Sequence, residues 1–414
     1  MAVRQDRGTG TVSSDVTDTT AGIHYNPFDA DISAHPFPTY RRLRDEAPVF
    51  RNDEYDFWAL SRHDDVEGGL RDWESFSSAR GSILEIVQSG MELPEGVIMF
   101  EDPPKHTMHR GLLSRVFTPR KMLALEDQIR EYCVQCLDPL VGTGRIDFMR
   151  DLGQEMPMRV IGMLLGIPES ANTEVRERTD GYLRTRKGKP IELRQDAIAN
   201  GDMFAEYIDW RAEHPSDDLM TALMTAEFTD DTGKVRKLHR HEVLTYTQVV
   251  AGAGNETTGR LIGWLGKVLD DHPAQRAELV ADPTLIPGAV EETLRYEPTG
   301  PHIARYTTAD LEYRGTTIPA GSAVLLLIGS ANRDERVWPD PDTFDIHRDQ
   351  GAHLTFGFGL HFCLGAALAR VEARVALEEV LKRFPEWEIR HDEAVMASTS
   401  TVRGWESLPA TVPI

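Results

Sequence analysis

Cys363 lies in the glycine-rich segment FGFGLHFCLG, which spans residues 356–365. A helix is predicted directly after it, because apolar residues repeat at helical spacing at Leu364, Leu368, Val371 and Val375. The N-terminus of a helix offers free N–H groups and positive partial charge, which stabilise a thiolate. Glycine permits positive φ and lets the backbone approach a flat ligand closely. A lone cysteine is more often a buried structural residue, although the glycines and the helix start would also suit a thiolate beside a flat ligand.

A second motif with chemical potential, AGNETT, occupies residues 253–258. It lies in the longest stretch of helical period, from about His241 to Asp271, which would span on the order of 45 Å. One face of this helix is predicted to carry Val250, Gly254, Thr257 and Leu261. Gly254 costs roughly 1 kcal/mol of helix propensity relative to alanine, which indicates a place where bulk is excluded or the helix is distorted. Alone, the motif is more typical of a tightly packed helix with a solvated glutamate.

Two charged pairs fall at helical spacing. Glu292 and Arg295 stand at i, i+3, and His106 and Arg110 stand at i, i+4, so each pair shares a helix face. In isolation such pairs are usually solvated and contribute less than about 1 kcal/mol.

Cys133 and Cys136 form a single Cys-x-x-Cys on a stripe shared with Ile129 and Leu140. This stripe favours packing as small hydrophobic residues over a metal or redox site. A zinc site would need a second cysteine pair, which the sequence lacks.

The elements that must position these residues are mostly helical. Short β-like runs at 57–61, 311–318 and 323–328 predict a small sheet beside the helices. The first 22 residues are rich in Thr, Ser, Asp and Gly and are predicted to be a disordered arm. Residues 23–414 show neither an internal repeat nor a linker, which favours one domain.

Composition narrows the function further. A formal charge of −22 argues against affinity for nucleic acid or an anionic membrane surface. Three cysteines in 414 residues cannot form a disulfide framework, which indicates a cytoplasmic protein. The sequence shows no secretory signal and no membrane anchor.

The segment around Cys363 resembles the haem-binding signature of the cytochrome P-450 family, Phe-Gly-x-Gly-x-His-x-Cys-x-Gly. The resemblance implies a mainly α fold with a small β-rich lobe, in which Cys363 is the axial ligand of the iron of haem b (iron protoporphyrin IX). A thiolate ligand pushes electron density onto the iron and favours O–O cleavage. The remaining haem-binding positions of the signature are Phe356, Gly357, His361 and Gly365.

The same resemblance assigns roles to the other motifs. AGNETT is similar to the family's oxygen-binding motif, in which Thr257 would donate a hydrogen bond to the oxygen being reduced and Glu256 would relay protons through water. Gly254 would leave space for dioxygen. Glu292 and Arg295 match the family's structural Glu-x-x-Arg pair. The candidate residues for binding the two haem propionates are His106, Arg110, Arg305 and His361.

The resemblance implies a monooxygenase that inserts one atom of O2 into a small hydrophobic molecule. Substrate contacts are expected from the segments near 81–100, 168–190, 301–303 and 400. The candidate pocket residues are Ile83, Val97, Ile98, Val250, Gly254 and Ile303. An apolar cavity is consistent with a terpenoid, steroid or fatty substrate. The basic cluster of Arg184, Arg186, Lys187 and Lys189 is more typical of a solvated charge run than of an anion site.

Electrons are expected to come ultimately from NAD(P)H through a separate ferredoxin and ferredoxin reductase, because the sequence contains no flavin or iron–sulfur segment. A positive patch on the cysteine side could receive an acidic ferredoxin. Its candidate residues are Lys105, Arg110, Arg115, Arg120, Lys121, Arg370 and Arg374.

Two alternatives stay open at the level of sequence. A peroxygenase would use hydrogen peroxide directly and could dispense with Glu256 and Thr257. A haem-based sensor or ligand-binding protein would need the cysteine segment but not these two residues. The acid and the alcohol in AGNETT therefore favour the monooxygenase.

Overall fold

A computed structural model describes residues 22–181, 184–193, 204–230, 232–349, 351–399 and 401–414. The predicted arm at 1–22 therefore lies outside the described residues except for Gly22, and of the predicted turn near Ser400 only residue 400 itself is outside them. The α-helices in the described ranges are α1 Ala30–Ala34, α2 Phe37–Glu46, α3 His63–Arg71, α4 Leu84–Ser89, α5 Lys105–Ser114, α6 Pro119–Leu123, α7 Glu126–Leu137, α8 Met156–Leu165, α9 Asn172–Gly181, α10 Ala205–Glu213, α11 Leu219–Thr225, α12 Arg240–Asp271, α13 Pro273–Ala281, α14 Ile286–Tyr296, α15 Ile328–Ala331 and α16 Ala366–Arg383.

The β-strands are short and gather mainly in one lobe. They are β1 Val49–Asn52, β2 Phe57–Leu60, β3 Phe76–Ser77, β4 Arg145–Asp147, β5 Glu227–Thr229, β6 Val235–Lys237, β7 Ile303–Thr307, β8 Leu311–Tyr313, β9 Thr316–Ile318, β10 Ala323–Leu326, β11 Glu388–Ile389, β12 Val395–Met396, β13 Trp405–Ser407 and β14 Pro409–Thr411. A mainly α fold with a small β-rich lobe is thus confirmed.

The main sheet has five strands in the order β1-β2-β10-β7-β3. Strand β10 lies parallel to β2 and antiparallel to β7, so that Leu325 pairs with Ala59 on one side and Ala304 on the other. The predicted run at 311–318 is a hairpin, β8 with β9, whose turn contains Arg314 and Gly315 at positive φ.

The long helix α12 is the central element of the helical part and confirms the helix predicted from His241 to Asp271. It begins with a capping box, in which the Glu242 carboxylate accepts the His239 backbone N–H at 2.6 Å. Its flanks pack against α8, α9, α16 and the π-helical segment Phe148–Gly153. Pro273 follows its last turn and begins α13.

Close packing around α12 depends on glycine at one crossing. A Cβ placed on Gly259 would overlap the carbonyl oxygen of Gly153, and a Cβ on Gly153 would lie 2.9 Å from the carbonyl oxygen of Gly259. Both obstacles are backbone atoms, which cannot move aside as a flexible side chain can.

We therefore expect Gly259→Ala to lower the free energy of unfolding by about 3 kcal/mol, the upper end of the usual cost of overpacking. Gly252→Ala is the matched control, because it lies on the same helix and an added Cβ would meet no atom within 4 Å. The control should gain up to about 1 kcal/mol from helix propensity. Urea denaturation of both variants measures the difference, and equal stabilities would contradict the packing argument.

Among the described residues, no helix combines the length and apolar content needed to cross a membrane.

Candidate active site

The cysteine segment forms a tight loop immediately before α16. The Cys363 N–H donates to the Phe356 carbonyl at 2.7 Å, and the Gly357 N–H donates to Leu354 at 2.8 Å. Gly357 and Gly359 adopt φ of 72° and 69°, a conformation that side-chain-bearing residues rarely adopt. Helix α16 begins three residues after the cysteine, as the sequence predicts.

The environment of Cys363 has opposing effects on its thiol. Burial raises its pKa, while the backbone N–H groups of Gly365 and Ala366 and the charges of Arg110 and Arg370 lower it. The helix N-terminus thus acts in the predicted direction, but burial outweighs it. Since the side chain is nevertheless exposed, we infer that it faces an internal space.

The middle of α12 also faces open space. Ala253 is exposed and Thr257 is half-buried, although both lie far from either end of the helix. Val249, Ala253 and Thr257 are spaced by four residues and therefore share a face. The Thr257 hydroxyl donates to the Ala253 carbonyl at 2.9 Å. In this rotamer it presents acceptor lone pairs to the open side, so the predicted donor role requires the hydroxyl to turn.

Gly254 lies at a close contact between α12 and α8. A Cβ at this position would overlap the Cδ1 atom of Ile161 in α8, so that the tip of this side chain would have to move. Helix α12 continues through the glycine without interruption, which contradicts the predicted helix distortion. The predicted space for dioxygen stays a prediction.

Glu256 is buried and ion-paired, in contrast to the solvated glutamate of the alternative interpretation. Its Oε1 accepts from Arg260 Nη2 at 3.0 Å, and the same Nη2 lies 3.2 Å from Glu406. Glu406 accepts in turn from Arg184, whose side chain is 56% exposed. Alternating charges thus connect a buried carboxylate on α12 to the surface.

The residues predicted to bind the propionates come together from distant parts of the chain. The rings of His106 and His361 lie 4.2 Å apart between centroids. Burial, together with the charges of Arg305, His106 and Arg110, lowers the pKa of His361 to about 3. Burial also lowers the pKa of Arg305 to about 10. These four side chains form one cluster, which we call the cationic cluster; His106 and Arg305 are buried, and Arg110 and His361 are partly buried.

The cationic cluster contains polar groups without acceptors. Both ring nitrogens of His106 and the Nε2 of His361 are buried and lack a hydrogen-bond partner among the described residues. Arg305 is 2% exposed, and its side chain donates to the adjacent Ala304 carbonyl at 2.8 Å. Arg110 donates to the Phe362 carbonyl, one residue before the cysteine, at 2.5 Å. Donors and positive charge in excess of acceptors fit an anionic group such as the two propionates of haem b.

Glu292 and Arg295 form the predicted pair, and it is buried. Arg295 donates to both carboxylate oxygens at 2.7 and 2.8 Å and also to the carbonyls of Asn332 and Pro341. Arg348 supplies a second guanidinium to Glu292 at 3.0 Å. The pair therefore holds the segment that precedes the cysteine loop and lies away from the cationic cluster.

The apolar pocket residues predicted from sequence do not form a single cluster. Ile83 and Val97 pack together with Ile86, Phe100 and Val249. Ile98 and Val250 belong instead to the main helical core, and Ile303 packs against the core of the main sheet. Ile83 and Val97 therefore lie beside the face of α12 that carries Ala253. Ile98, Val250 and Ile303 pack elsewhere.

Several basic residues of the predicted ferredoxin-docking patch are held in ion pairs or hydrogen bonds within the chain. Lys105 pairs with Glu95, Arg370 pairs with Glu291, and Arg374 pairs with Glu126 and Glu378. Arg110 is engaged with the cysteine loop. The exposed members are Arg115, Arg120 and Lys121.

Cys133 is fully buried and Cys136 is partly buried on α7, and burial raises the pKa of both thiols. In the described ranges, no group of three or more His, Cys, Asp or Glu side chains is arranged to hold a metal ion. The structure thus agrees with packing as small hydrophobic residues.

Sequence reasoning missed three residues of this region. Val249 and Ala253 line the open face of α12, and their four-residue spacing from Thr257 could have indicated it. Arg260 holds Glu256, and its i+4 position was also visible in the sequence.

Comparisons with known proteins agree with this geometry. Residues 189–409 match the family model described as cytochrome P450. A Mycobacterium tuberculosis protein with the name cytochrome P450 123 is 40% identical over 94% of this chain and 96% of its own length. Cytochrome P450 monooxygenase PikC of Streptomyces venezuelae is 35% identical, over 92% of this chain and 91% of its own length. The structure of CYP109E1 from Bacillus megaterium in complex with testosterone superposes with a TM-score of 0.82 at 28% identity, covering 93% of this chain and 99% of that one.

The chain belongs to the cytochrome P450 family. It is a haem-thiolate monooxygenase, an oxidoreductase that incorporates oxygen from O2.

Proposed function

We propose that this monooxygenase oxidises a lipophilic small molecule at an unactivated C–H bond, with Cys363 holding the haem iron. The observation that carries the proposal is the pairing of an exposed cysteine beside a helix N-terminus with a cationic cluster in which buried nitrogens of His106 and His361 lack a partner among the described residues. When bound, the haem would supply oxygen activation through its thiolate ligand. The side chains of His106, Arg110, Arg305 and His361 would bind its propionates.

Thr257 and Glu256 of α12 would transfer protons between solvent and the cavity. The Thr257 hydroxyl, held by the Ala253 carbonyl, can accept a hydrogen bond from a water molecule and return a proton when it turns. Glu256 lies next to it in sequence, and its carboxylate is held by Arg260. Movement of Arg260 toward Glu406 would free Glu256 to exchange protons with solvent near Arg184.

A lipophilic substrate is supported by the cavity-side residues. Ile83, Val97, Phe100 and Val249 form an apolar cluster beside the open face of α12. Terpenoid, steroid and fatty molecules fit such a lining, and the related CYP109E1 structure contains testosterone. The basic residues at 184–189 are partly paired, since Arg184 contacts Glu406 and Arg186 contacts Glu192. They therefore add no argument for an anionic substrate.

Electrons would come from NAD(P)H through a ferredoxin reductase and a ferredoxin in the cytoplasm. Arg115, Arg120 and Lys121 are exposed after α5, the helix that carries Arg110. They form a local positive patch on an acidic chain and could receive an acidic ferredoxin.

The test of the proposed function is the carbon monoxide difference spectrum of the dithionite-reduced holoprotein. A strongly red-shifted Soret band is expected, because a thiolate ligand would donate electron density to the iron. A band at the position typical of imidazole-ligated haem would contradict the assignment of Cys363.

Thr257→Ala is expected to keep haem and substrate binding while diverting most reducing equivalents to hydrogen peroxide, lowering product per NAD(P)H about tenfold. The reason is the loss of the hydroxyl that holds and returns a proton on the open face of α12. Product and peroxide are measured together against NAD(P)H consumption.

Thr257→Ser should restore the wild-type yield of product per NAD(P)H, because serine keeps the hydroxyl. Thr225→Ala is the matched control, because Thr225 makes the same kind of bond to the carbonyl of Thr221, at 2.7 Å, at the exposed end of α11. Normal coupling in Thr257→Ala would contradict the proton-delivery role of this hydroxyl.

A further inference from the structure

A buried acid–histidine pair lies beside the cationic cluster, since the Glu101 backbone is hydrogen-bonded to His361. The Nδ1 of His109 in α5 lies 2.7 Å from Oε2 of Glu101, and their side chains are 6% and 7% exposed. A carboxylate can only accept a hydrogen bond, so the histidine donates. A buried pair of this kind is costly to keep unless both partners are satisfied.

The second carboxylate oxygen of Glu101 reaches back along the chain. Oε1 accepts the backbone N–H of Gly96 at 2.8 Å. Gly96 adopts φ of 92°, and a Cβ there would come within 3.5 Å of Thr245 and 3.8 Å of Tyr246 in α12. The Glu101 carboxylate therefore ties residues 90–101, here called the cavity loop, to α5 at the point where the loop touches α12.

The cavity loop carries apolar residues that face the open side of α12. Val97 and Phe100 are buried in one cluster with Ile86, and Met91, Leu93, Met99 and Val249 pack against it. Val249 shares its helix face with Ala253 and Thr257. The position of the cavity loop thus sets how far its apolar side chains reach toward that face.

Helix α5 connects the same pair to the cationic cluster. His106 and Arg110 lie three residues before and one residue after His109. The ring of His109 also packs edge-on against Tyr246 of α12, with centroids 5.7 Å apart. The His109 side chain therefore contacts both the cavity loop and α12. It belongs to α5, the helix that also carries His106 and Arg110 of the cationic cluster.

We propose that Glu101 and His109 form a clamp that fixes the cavity loop against α5 and thereby sets the shape of the substrate cavity. They are positioning residues, because they act through Val97 and Phe100 and do not contact the reacting atoms. The statement about the cavity rests on the proposed function, whereas the statement about the loop does not.

Hydrogen exchange of the ligand-free holoprotein tests the loop directly. We expect His109→Leu to speed exchange in the peptide covering 94–101 by about tenfold or more, because the carboxylate loses its partner and releases the Gly96 N–H. His109→Asn should restore protection, since an amide N–H can donate from a similar position. Glu95→Gln is the matched control, because it removes an exposed ion pair with Lys105 from the same loop.

Binding of two azoles to the ferric iron tests the cavity. Imidazole is small enough to reach the iron without touching the loop, whereas 4-phenylimidazole extends a ring into the cavity. The ratio of their dissociation constants should change about tenfold in His109→Leu and stay within twofold of the wild type in His109→Asn and Glu95→Gln. Normalising to imidazole separates a change of cavity shape from a general loss of haem.

Unchanged exchange in His109→Leu would overturn the clamp even if the thiolate spectrum of the protein is normal. Faster exchange with an unchanged azole ratio would overturn its role in the cavity. Should His109→Leu not fold, the double variant Glu101→Leu with His109→Leu serves instead, because it leaves no buried carboxylate unpaired and still lacks the contact with Gly96. An abnormal carbon monoxide spectrum would contradict the proposed function and leave the exchange result to decide the clamp.

Discussion

Replacing Cys363 with alanine should abolish the red-shifted carbon monoxide band and the monooxygenase activity completely. The thiolate is the proposed axial ligand, and an alanine cannot donate to the iron. The loop should survive the change, since its shape depends on backbone hydrogen bonds from Cys363 N–H to Phe356 and from Gly357 N–H to Leu354. The carbon monoxide spectrum and the haem content of the purified variant measure the result.

Cys133→Ala is the matched control, because Cys133 is a fully buried cysteine with a packing role on α7. It should lower stability by about 1 kcal/mol through the small cavity that it creates and leave the spectrum unchanged. A red-shifted band that persists in Cys363→Ala and disappears in Cys133→Ala would overturn the assignment of the ligand.

Replacing Arg305 with methionine should have opposite effects on the protein without haem and on the holoprotein. Arg305 is a buried guanidinium that donates to the adjacent carbonyl of Ala304, and the nearest charge acting on it is that of Asp102. Removing such a charge should raise the free energy of unfolding by about 1 kcal/mol or more. In the holoprotein the same change removes a charge-assisted hydrogen bond to a propionate, which should weaken haem binding by about 10- to 100-fold.

Arg295→Met is the contrasting variant, because Arg295 is equally buried but fully paired with Glu292. It should destabilise both forms by about 3–5 kcal/mol, since it leaves a buried carboxylate without one of its partners. Urea denaturation of both forms and the rate of haem transfer to a scavenging apoprotein measure the effects. Destabilisation of the haem-free protein by Arg305→Met would contradict the proposal that the cationic cluster binds an anionic ligand.

The major helices and the main features of the β-rich lobe could be predicted from local patterns. The 3.6-residue period located α12 to within one residue at its start, and β-like runs located β2, β10 and residues 311–318, although the last was predicted as one run and is a hairpin of β8 and β9. The hairpin of β5 with β6 and the pairing of β14 with β4 were missed, because two- and three-residue strands have too few alternating positions to show a pattern. The assignment of residues 23–414 to one domain stays a prediction.

Candidate residues could be identified where chemistry depends on neighbours in sequence. Glycines at positive φ and a following helix are local properties, so the role of the loop around Cys363 could be predicted from the order of its residues. The same holds for Thr257 beside Glu256, and for Glu292 and Arg295 one helical turn apart.

Contacts across long separations depend on the folded chain. His106, Arg305 and His361 form one cluster although more than 250 residues separate the first from the last. Gly254 lies against Ile161 of α8, and contact with Gly153 explains Gly259. Burial likewise pairs Glu256 with Arg260, and it encloses Glu101 and His109 beside the cavity loop. Local conformation and the available chemical groups follow from the sequence, because both depend on short-range spacing. Charge pairing, burial and the shape of the cavity follow from the tertiary structure, because they depend on packing between distant segments.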